Sequence, residues 1–244
     1  MYWKKKRGKT RYLDFIQSIQ GRLVGSPLSN YDKKFWIRHD VDYDLDQAID
    51  LAWFEMDNGM MSTFFLLHTA GYFDYSYEFD RKITKLLAMG HAIGFHNDLL
   101  GVWSEKGGDV YKILQPPLNF LRQITPVTST SSHGKREYYD RNFINYEVWQ
   151  EYDSSQNEGY PVKWDQISLK YVGLNEAYFL PYTHYFSDSG GNWIGYQVDG
   201  QKPFERSALR SQLNIGSDIV EKFNECEKGF LQLLIHPEHW ECVK

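Results

Sequence analysis

The sequence has little of what several protein classes require. Its 244 residues include only two cysteines, Cys226 and Cys242, which excludes a disulfide framework and favours a reducing compartment. No uninterrupted apolar run approaches the ~20 residues of a membrane-spanning helix, and the basic start is not followed by the apolar core of a secretory signal. We therefore expect a cytoplasmic protein without a membrane span.

Basic charge and low-complexity sequence are also scarce. Lys and Arg total 27 against 32 Asp and Glu, and the resulting net charge of −5 argues against a nucleic-acid partner. The one basic run, Lys4 to Arg7, is typical of a solvated tail. No repeat and no linker rich in Pro, Gly or Ser divides the chain, so we expect residues 1–244 to form a single domain.

Short apolar or β-branched runs alternate with helical patterns along the chain. The strand candidates are Phe35–Arg38, Ser62–Leu67, Ala92–Phe95, Val127–Ser131, Ala177–Leu180 and Phe230–Ile235. Apolar residues at helical spacing predict helices that end at Asn58-Gly59, at Gly90 and before Thr125. Pro116-Pro117 is expected to break the last of these helices or to start its final stretch. The alternation indicates parallel strands with crossover helices, so we predict an α/β fold, a distorted or incomplete (β/α) barrel.

Aromatic residues reach 17%, and the chain has eight histidines. Six of these histidines lie at or just after the end of a predicted strand: His39, His68, His96, His133, His184 and His236. In a parallel α/β barrel all these strand ends share one rim, where catalytic residues gather. The set predicts a metal or proton-transfer site, although ordinary packing near a strand end is the alternative for any single histidine.

The sharpest motif is His39-Asp40-Val41-Asp42. Side chains two residues apart on a strand point to the same side, so Asp40 and Asp42 can serve one site. Two close carboxylates are hard to ionise together without a cation, which predicts a divalent metal held by one of them while the other acts as a base. The alternative is that Asp42 or Asp44 caps the helix that begins near Leu45, a role that suits Asp44 better.

The third predicted strand carries a second pair of this kind. His96 and Asp98 repeat the two-residue spacing and offer a nitrogen ligand and a possible oxygen ligand. Two histidines and one carboxylate with an open position are typical of catalytic zinc, so zinc is the expected cofactor.

Taken in order, the motifs resemble those of the polysaccharide deacetylases of carbohydrate esterase family four. The resemblance extends roughly from Trp36 to Trp240. Its matching segments are Arg38–Asp42, Ser62–Phe65, Gly90–His96, Ser187–Trp193 and Leu233–His236. The first segment is similar to the variant of the family's Thr-Phe-Asp-Asp-Gly motif that a divergent subgroup uses, and the third is close to Gly-His-Glu-Ile-Gly-x-His.

The resemblance implies a metal-dependent carbohydrate N-deacetylase that acts on a sugar or a glycan precursor. It makes Asp40 the general base and Asp42 and His96 metal ligands. It makes His236 the general acid, with Asp188 orienting its ring.

Two departures from the family pattern leave residues to be assigned. The family has a second metal histidine four residues after His96, where this chain has Leu100. His133 and Asp98 are the candidates for the third ligand, with His133 slightly favoured because imidazole is the commoner zinc ligand. The family's Arg-x-Pro motif is not recognisable near Pro126, and Arg38 is the candidate replacement because it shares a strand face with Asp40.

Trp193, Tyr182 and Arg38 are the residues that we expect to contact substrate, the two aromatics by stacking on sugar faces. Two alternatives remain open at the level of sequence. One is a metal-dependent hydrolase of a non-carbohydrate amide, and the other is a catalytically inactive glycan-binding relative.

Overall fold

The computed structural model describes residues 2–5, 12, 34–141, 143–152, 164–180, 182–189, 194–198, 206–209 and 230–243. Its first half consists of β1 (Tyr2–Lys5), β2 (Lys34–Val41), α1 (Leu45–Asp57), β3 (Thr63–Leu67), α2 (Tyr77–Ala88), β4 (Ala92–Asn97), α3 (Leu99–Lys106) and α4 (Val110–Ile124). Its second half consists of β5 (Ser129–Ser132), α5 (Arg136–Asp140), α6 (Leu169–Val172), β6 (Asn175–Glu176), β7 (Tyr182–Ser187), β8 (Ile194–Val198), β9 (Arg206–Leu209), β10 (Phe230–Ile235) and β11 (Trp240–Val243). None of the described helices combines the length and the apolar composition that crossing a bilayer requires.

Nine of the strands form one sheet in the order β6-β5-β4-β3-β2-β10-β7-β8-β9. The first seven are parallel, and β8 and β9 continue the sheet as antiparallel strands. The predicted α/β class with parallel strands is thereby confirmed, in the form of a curled half-barrel. Within the described ranges β6 and β9 are the two edges, and they do not pair with each other.

The outer face of the curled sheet packs against the helices. Alternate residues of β2, β3 and β4, among them Val41, Phe64, Leu66, Ile93 and Phe95, join the apolar faces of these helices in the larger core. The inner face has a smaller apolar cluster of Trp36, Phe65, Ala177, Tyr185 and Leu234. Polar side chains lie beyond this cluster, toward the carboxyl ends of the strands. Since every parallel strand ends on that side, these side chains gather at one edge of the sheet.

Local signals explain most of the element boundaries. The Asp44 side chain accepts a hydrogen bond from the Gln47 amide at 2.9 Å and caps α1. Helix α1 ends before Asn58, and Gly90 follows α2 with a positive φ of 87°, a conformation that glycine adopts without strain. The predicted cap at Asp44 and the predicted ends of α1 and α2 are confirmed.

Two predictions about local structure are wrong. Ala177–Leu180 is not a strand: pairing with β5 stops at Glu176, and Ala177–Phe179 forms a 3-10 turn in which the Glu176 carboxylate accepts the Tyr178 amide. Pro116-Pro117 does not break α4, which runs from Val110 to Ile124. A proline inside a helix costs about 3 kcal/mol, and α4 offsets that cost by burying a row of core residues, Leu114, Leu118 and Leu121.

A close contact on the inner face gives a test of this packing. Gly94 of β4 lies opposite Phe65 of β3, and a Cβ at Gly94 would overlap the Phe65 ring. We expect Gly94→Ala to lower the free energy of unfolding by about 1–3 kcal/mol, the usual cost of overpacking. Denaturant unfolding measures this change, with Gly71→Ala as the control because a Cβ at Gly71 meets nothing within 4 Å. Equal stability of the two variants would contradict the packing.

Candidate metal centre

Three side chains from the ends of three parallel strands converge on one point. Asp42 follows β2, His96 lies near the end of β4 and His133 follows β5. The Oδ1 atom of Asp42 is 3.3 Å from Nε2 of His96 and 3.7 Å from Nε2 of His133. One ligand atom from each residue lies within 4.8 Å of the others. Strand order and parallel direction alone bring these residues together from positions far apart in the sequence.

The donor atoms of this triplet fit a divalent metal. Nδ1 of His96 is 2.8 Å from the Ser131 carbonyl, to which it donates, so in the neutral ring Nε2 has the lone pair that a metal would bind. Oδ1 of Asp42 is buried and has no hydrogen-bond partner of normal geometry among the described residues. Zinc bonds of ~2.0–2.1 Å place tetrahedral ligand atoms about 3.3 Å apart, close to the spacing found here.

The charge of Asp42 agrees with a ligand role. Burial by itself raises the pKa of this carboxyl, but the contact with His96 and the charges of the surrounding histidines outweigh it and lower the pKa to about 2. Asp42 is therefore ionised at neutral pH, as a metal ligand must be.

The structure places His133 in the triplet and Asp98 behind it. Oδ2 of Asp98 is 3.7 Å from Nδ1 of His133, on the side of the ring away from Asp42. The same carboxylate accepts hydrogen bonds from Tyr138 at 2.6 Å, Asn145 at 3.0 Å and Thr69 at 3.2 Å. A carboxylate behind a ligating histidine is a common way to fix the orientation of the ring. Asp98 thus lies where it can orient a ligand.

Asp40 lies beside the triplet with one oxygen engaged and one free. Its Oδ2 accepts a hydrogen bond from the Ser131 hydroxyl at 3.0 Å and lies 3.4 Å from Nη2 of Arg38. Its Oδ1 is buried without a partner among the described residues. Nε2 of His96 is 3.8 Å from Oδ2, so Asp40 is close to the metal position.

Arg38 supports Asp40 from behind. The guanidinium is fully buried, and its Cζ lies 4.5 Å from the centroid of the Tyr178 ring. Burial by itself would lower the pKa of Arg38, but the charge of Asp40 outweighs it and raises the pKa, so the guanidinium stays charged. Arg38 is not among the described residues that line the pocket described below.

Asp188 and His236 form a second pair on the opposite side of the centre. Oδ1 of Asp188 lies 2.7 Å from Nδ1 of His236 and accepts the His236 amide at 2.9 Å. Burial lowers the pKa of His236, but the hydrogen bond and the charge of Asp188 outweigh burial and raise it to about 9. The ring is therefore protonated at neutral pH, with Nδ1 fixed by the carboxylate.

Asp188, His236 and His239 also have the spacing of a metal triplet. In this group, however, both carboxylate oxygens already have N–H donors. Oδ1 accepts from His236 and Oδ2 accepts from the Trp240 indole at 3.2 Å. The ligand oxygen of the first triplet accepts no such hydrogen bond among the described residues, so the Asp42 triplet is the better metal site.

The candidate triplet, Asp40 and His236 line one pocket of about 340 Å³. The full lining is Asp40, Asp42, His96, Ser132, His133, Gly134, Lys135, Arg136, Tyr178, Ser189, Leu234 and His236. A candidate base, a candidate metal triplet and a protonated histidine therefore face the same pocket, which is the arrangement that metal-assisted hydrolysis requires.

Of the other histidines predicted at strand ends, His39 and His68 lie away from the triplet. His39 points to the outer face and contacts Glu55 at 2.9 Å. His68 accepts the Asp98 amide at 2.9 Å and stacks on Phe95, and burial lowers its pKa to about 4. Tyr182 belongs to β7, but its side chain lies outside the described residues, as does the whole of Trp193.

Glu238 is a part of the site that the sequence did not indicate. Its Oε1 accepts the backbone amides of Asp42 at 2.6 Å and Tyr43 at 2.7 Å. The carboxylate thereby fixes the turn that carries the metal ligand. The two residues are 196 positions apart, and no local pattern reports a contact of that separation.

The assignment of the third ligand can be tested by two variants. We expect His133→Ala to abolish stoichiometric zinc binding, because it removes a ligand atom. Asp98→Asn keeps the ligand set and weakens binding by about 10- to 100-fold, the usual effect of losing an outer partner. Zinc titration with a competing chelator measures both. The opposite order of effects would make Asp98 the ligand.

The role of Glu238 gives a second test at this site. We expect Glu238→Ala to raise the zinc Kd by about 10-fold or more, because the Asp42 turn loses both hydrogen bonds to its amides. Glu238→Gln retains an oxygen that can accept them and should bind zinc nearly as the unaltered chain does. Equal zinc affinity of the alanine variant and the unaltered chain would show that the turn holds its shape without Glu238.

Comparison with known proteins identifies no family for this chain. No family model matches it, and no curated protein or solved structure does either. The likeness to polysaccharide deacetylases rests on the short motifs alone, and the candidate centre rests on the geometry described above.

Proposed function

We propose that the protein is a zinc-dependent hydrolase that removes an N-acetyl group from an amino sugar or a glycan precursor. One observation carries the proposal. The Asp42–His96–His133 triplet, Asp40 and His236 all line a single pocket. Amide hydrolysis needs an electrophile that activates the carbonyl, a base for water and an acid for the leaving nitrogen, and this pocket has a candidate for each.

Asp42, His96 and His133 would hold the metal. Bound zinc would polarise the acetyl carbonyl and lower the pKa of a coordinated water to about 7. Asp40 then accepts the proton of the attacking water at Oδ1, the atom without a partner among the described residues. Arg38 and Ser131 hold the other oxygen, Oδ2, so the carboxylate keeps its charge and its orientation while Oδ1 receives the proton.

His236 serves as the acid on the other side of the pocket. Asp188 holds Nδ1, so the proton on Nε2 is the one that faces away from the carboxylate and is free to transfer. Donation of this proton to the departing nitrogen releases a free amine, while acetate leaves from the carbonyl side. Asp188 is fully buried, which keeps the pair out of competition with water.

The carbohydrate part of the proposal is supported by the motif resemblance and by the chemistry of the pocket wall. Ser132, Ser189 and Tyr178 line the pocket, and their hydroxyl groups give its wall the polar character that suits a sugar. The volume of about 340 Å³ lies within the range of small-molecule sites. The low cysteine content supports a reducing compartment, in which precursors of glycan assembly are a suitable substrate class.

The base is tested by Asp40→Asn. We expect this variant to retain zinc, because Asp40 is not in the triplet, and to lose acetate release by about 10²- to 10⁴-fold, the usual contribution of a general base. Asp46→Asn is the matched control, since the Asp46 side chain is 74% exposed and lies outside the pocket. Acetate release from a panel of N-acetylated sugars and zinc content measure both effects.

Two outcomes contradict the proposal. Undiminished turnover by Asp40→Asn would remove the base from the mechanism. Zinc-loaded protein that releases no acetate from any member of the panel would exclude N-deacetylation of these sugars, and the two alternatives, a hydrolase of another amide and an inactive relative, would then be separated by an amide panel.

A further inference from the structure

The mouth of the pocket differs in charge from its floor. The described lining residues include two carboxylates, Asp40 and Asp42, and both lie at the floor. Asp40 faces the Arg38 guanidinium at 3.4 Å, and Asp42 lies between two metal-ligand histidines. With a divalent cation bound, the negative charge of the floor is compensated, so it does not repel an anion.

The mouth carries two cations, Lys135 and Arg136. They follow the metal ligand His133 by two and three residues, so the β5 loop that supplies the ligand also supplies both positive groups. Both residues are exposed, and both line the pocket. Asp40 and Asp42 are the two carboxylates among the described lining residues, and both lie at the floor rather than beside these cations.

The two cations are available to a ligand in different degrees. Nζ of Lys135 is 3.6 Å from Oδ2 of Asp98 and 5.6 Å from the centroid of the Tyr138 ring, which holds the ammonium near the ligand loop. Asp98 is already engaged by three hydrogen-bond donors, so Lys135 keeps N–H groups to spare. The Arg136 guanidinium has no hydrogen bond or ion pair with any described residue, and it can donate two parallel hydrogen bonds to a carboxylate or phosphate.

We infer that the substrate carries an anionic group, a carboxylate or a phosphate, which Lys135 and Arg136 bind at the mouth while the acetamide reaches the floor. The inference rests on the proposed function, since it takes the floor as the place of reaction. It narrows the substrate class from N-acetylated sugars in general to acidic or phosphorylated ones. Gly134, between the ligand and the cations, leaves this side of the pocket open because nothing lies within 4 Å of its Cβ position.

The test compares matched substrates on the zinc-loaded protein. The panel contains N-acetylglucosamine, its 1-phosphate, its 6-phosphate and its uronic acid, so the phosphate and carboxylate forms are separate arms. We expect kcat/KM for at least one anionic member to exceed that of the neutral sugar by about 10- to 100-fold, as for hydrogen bonds to charged groups. The preference should weaken with rising ionic strength, because exposed charges are screened.

Variants assign the preference to the two cations. We expect the double variant Lys135→Met, Arg136→Gln to reduce the ratio of anionic to neutral kcat/KM to near one. The matched control is Arg81→Gln, Lys112→Met, which removes the same charge from exposed positions on α2 and α4 outside the pocket and should keep the ratio. Arg136→Gln alone is included because Lys135 contacts Asp98, and zinc content is measured for every variant.

The outcomes separate this inference from the proposed function. Equal kcat/KM for neutral and anionic sugars, or a preference that survives in the double variant, overturns the inference and leaves the deacetylase proposal in place. If no sugar is hydrolysed, the proposed function fails, and calorimetric binding of glucosamine and glucosamine 6-phosphate decides the inference. Tighter binding of the phosphate that depends on both cations supports an anion site, and equal binding overturns it.

Discussion

The structure around the pocket depends on one constraint, the burial of two carboxylates two residues apart at the end of one strand. Asp40 and Asp42 face the same side of β2, and neither can stay ionised there unless positive charge is close. The fold brings this charge from the Arg38 guanidinium on the same strand face and from His236 after β10, and it places the His96 and His133 rings beside Asp42. A divalent cation held by Asp42 and these two rings would complete the compensation, which is the physical reason to propose a metal there.

Residues on the opposite face of β2 contact the core and α1. His39 and Val41 point outward, where Val41 enters the helix-packed core and His39 contacts the fully buried Glu55 at 2.9 Å. Glu55 also accepts hydrogen bonds from Tyr12 and from Ser62, so the carboxylate of α1 is fully engaged. Strand alternation therefore separates the motif into two pairs. Asp40 and Asp42 face the pocket, and His39 and Val41 pack the sheet against α1 and the core.

Sequence patterns predicted the parts of the structure that depend on strand direction. The parallel strands, and the meeting of Asp42, His96 and His133, follow from the rule that parallel strands end on the same side. The misassigned strand at Ala177–Leu180 shows where a local pattern fails, since a short apolar run has no period that separates a strand from a turn. Here the hydrogen bond from the Tyr178 amide to the Glu176 side chain accompanies a 3-10 turn. Glu238, which holds the Asp42 turn, and the position of Asp98 behind its ligand depend on tertiary contacts that no spacing in the chain reports.

Strand order also places His236, the proposed acid, beside Asp42, the proposed metal ligand. Strand β10 pairs directly with β2, so His236 and Asp42 follow neighbouring strands although the two residues are far apart in the sequence. Hydrogen bonds then connect the turn after β10 to the turn after β2 and to the start of α1. Glu238 accepts the Asp42 and Tyr43 amides, and Gln47 donates to the Pro237 carbonyl at 2.7 Å. General acid catalysis requires the donor within hydrogen-bond reach of the leaving group, and displacement by an ångström costs much of its rate. Since the same short turn carries both His236 and Glu238, a movement of the acid displaces the carboxylate that fixes the ligand, and the two halves of the pocket keep their separation as a unit.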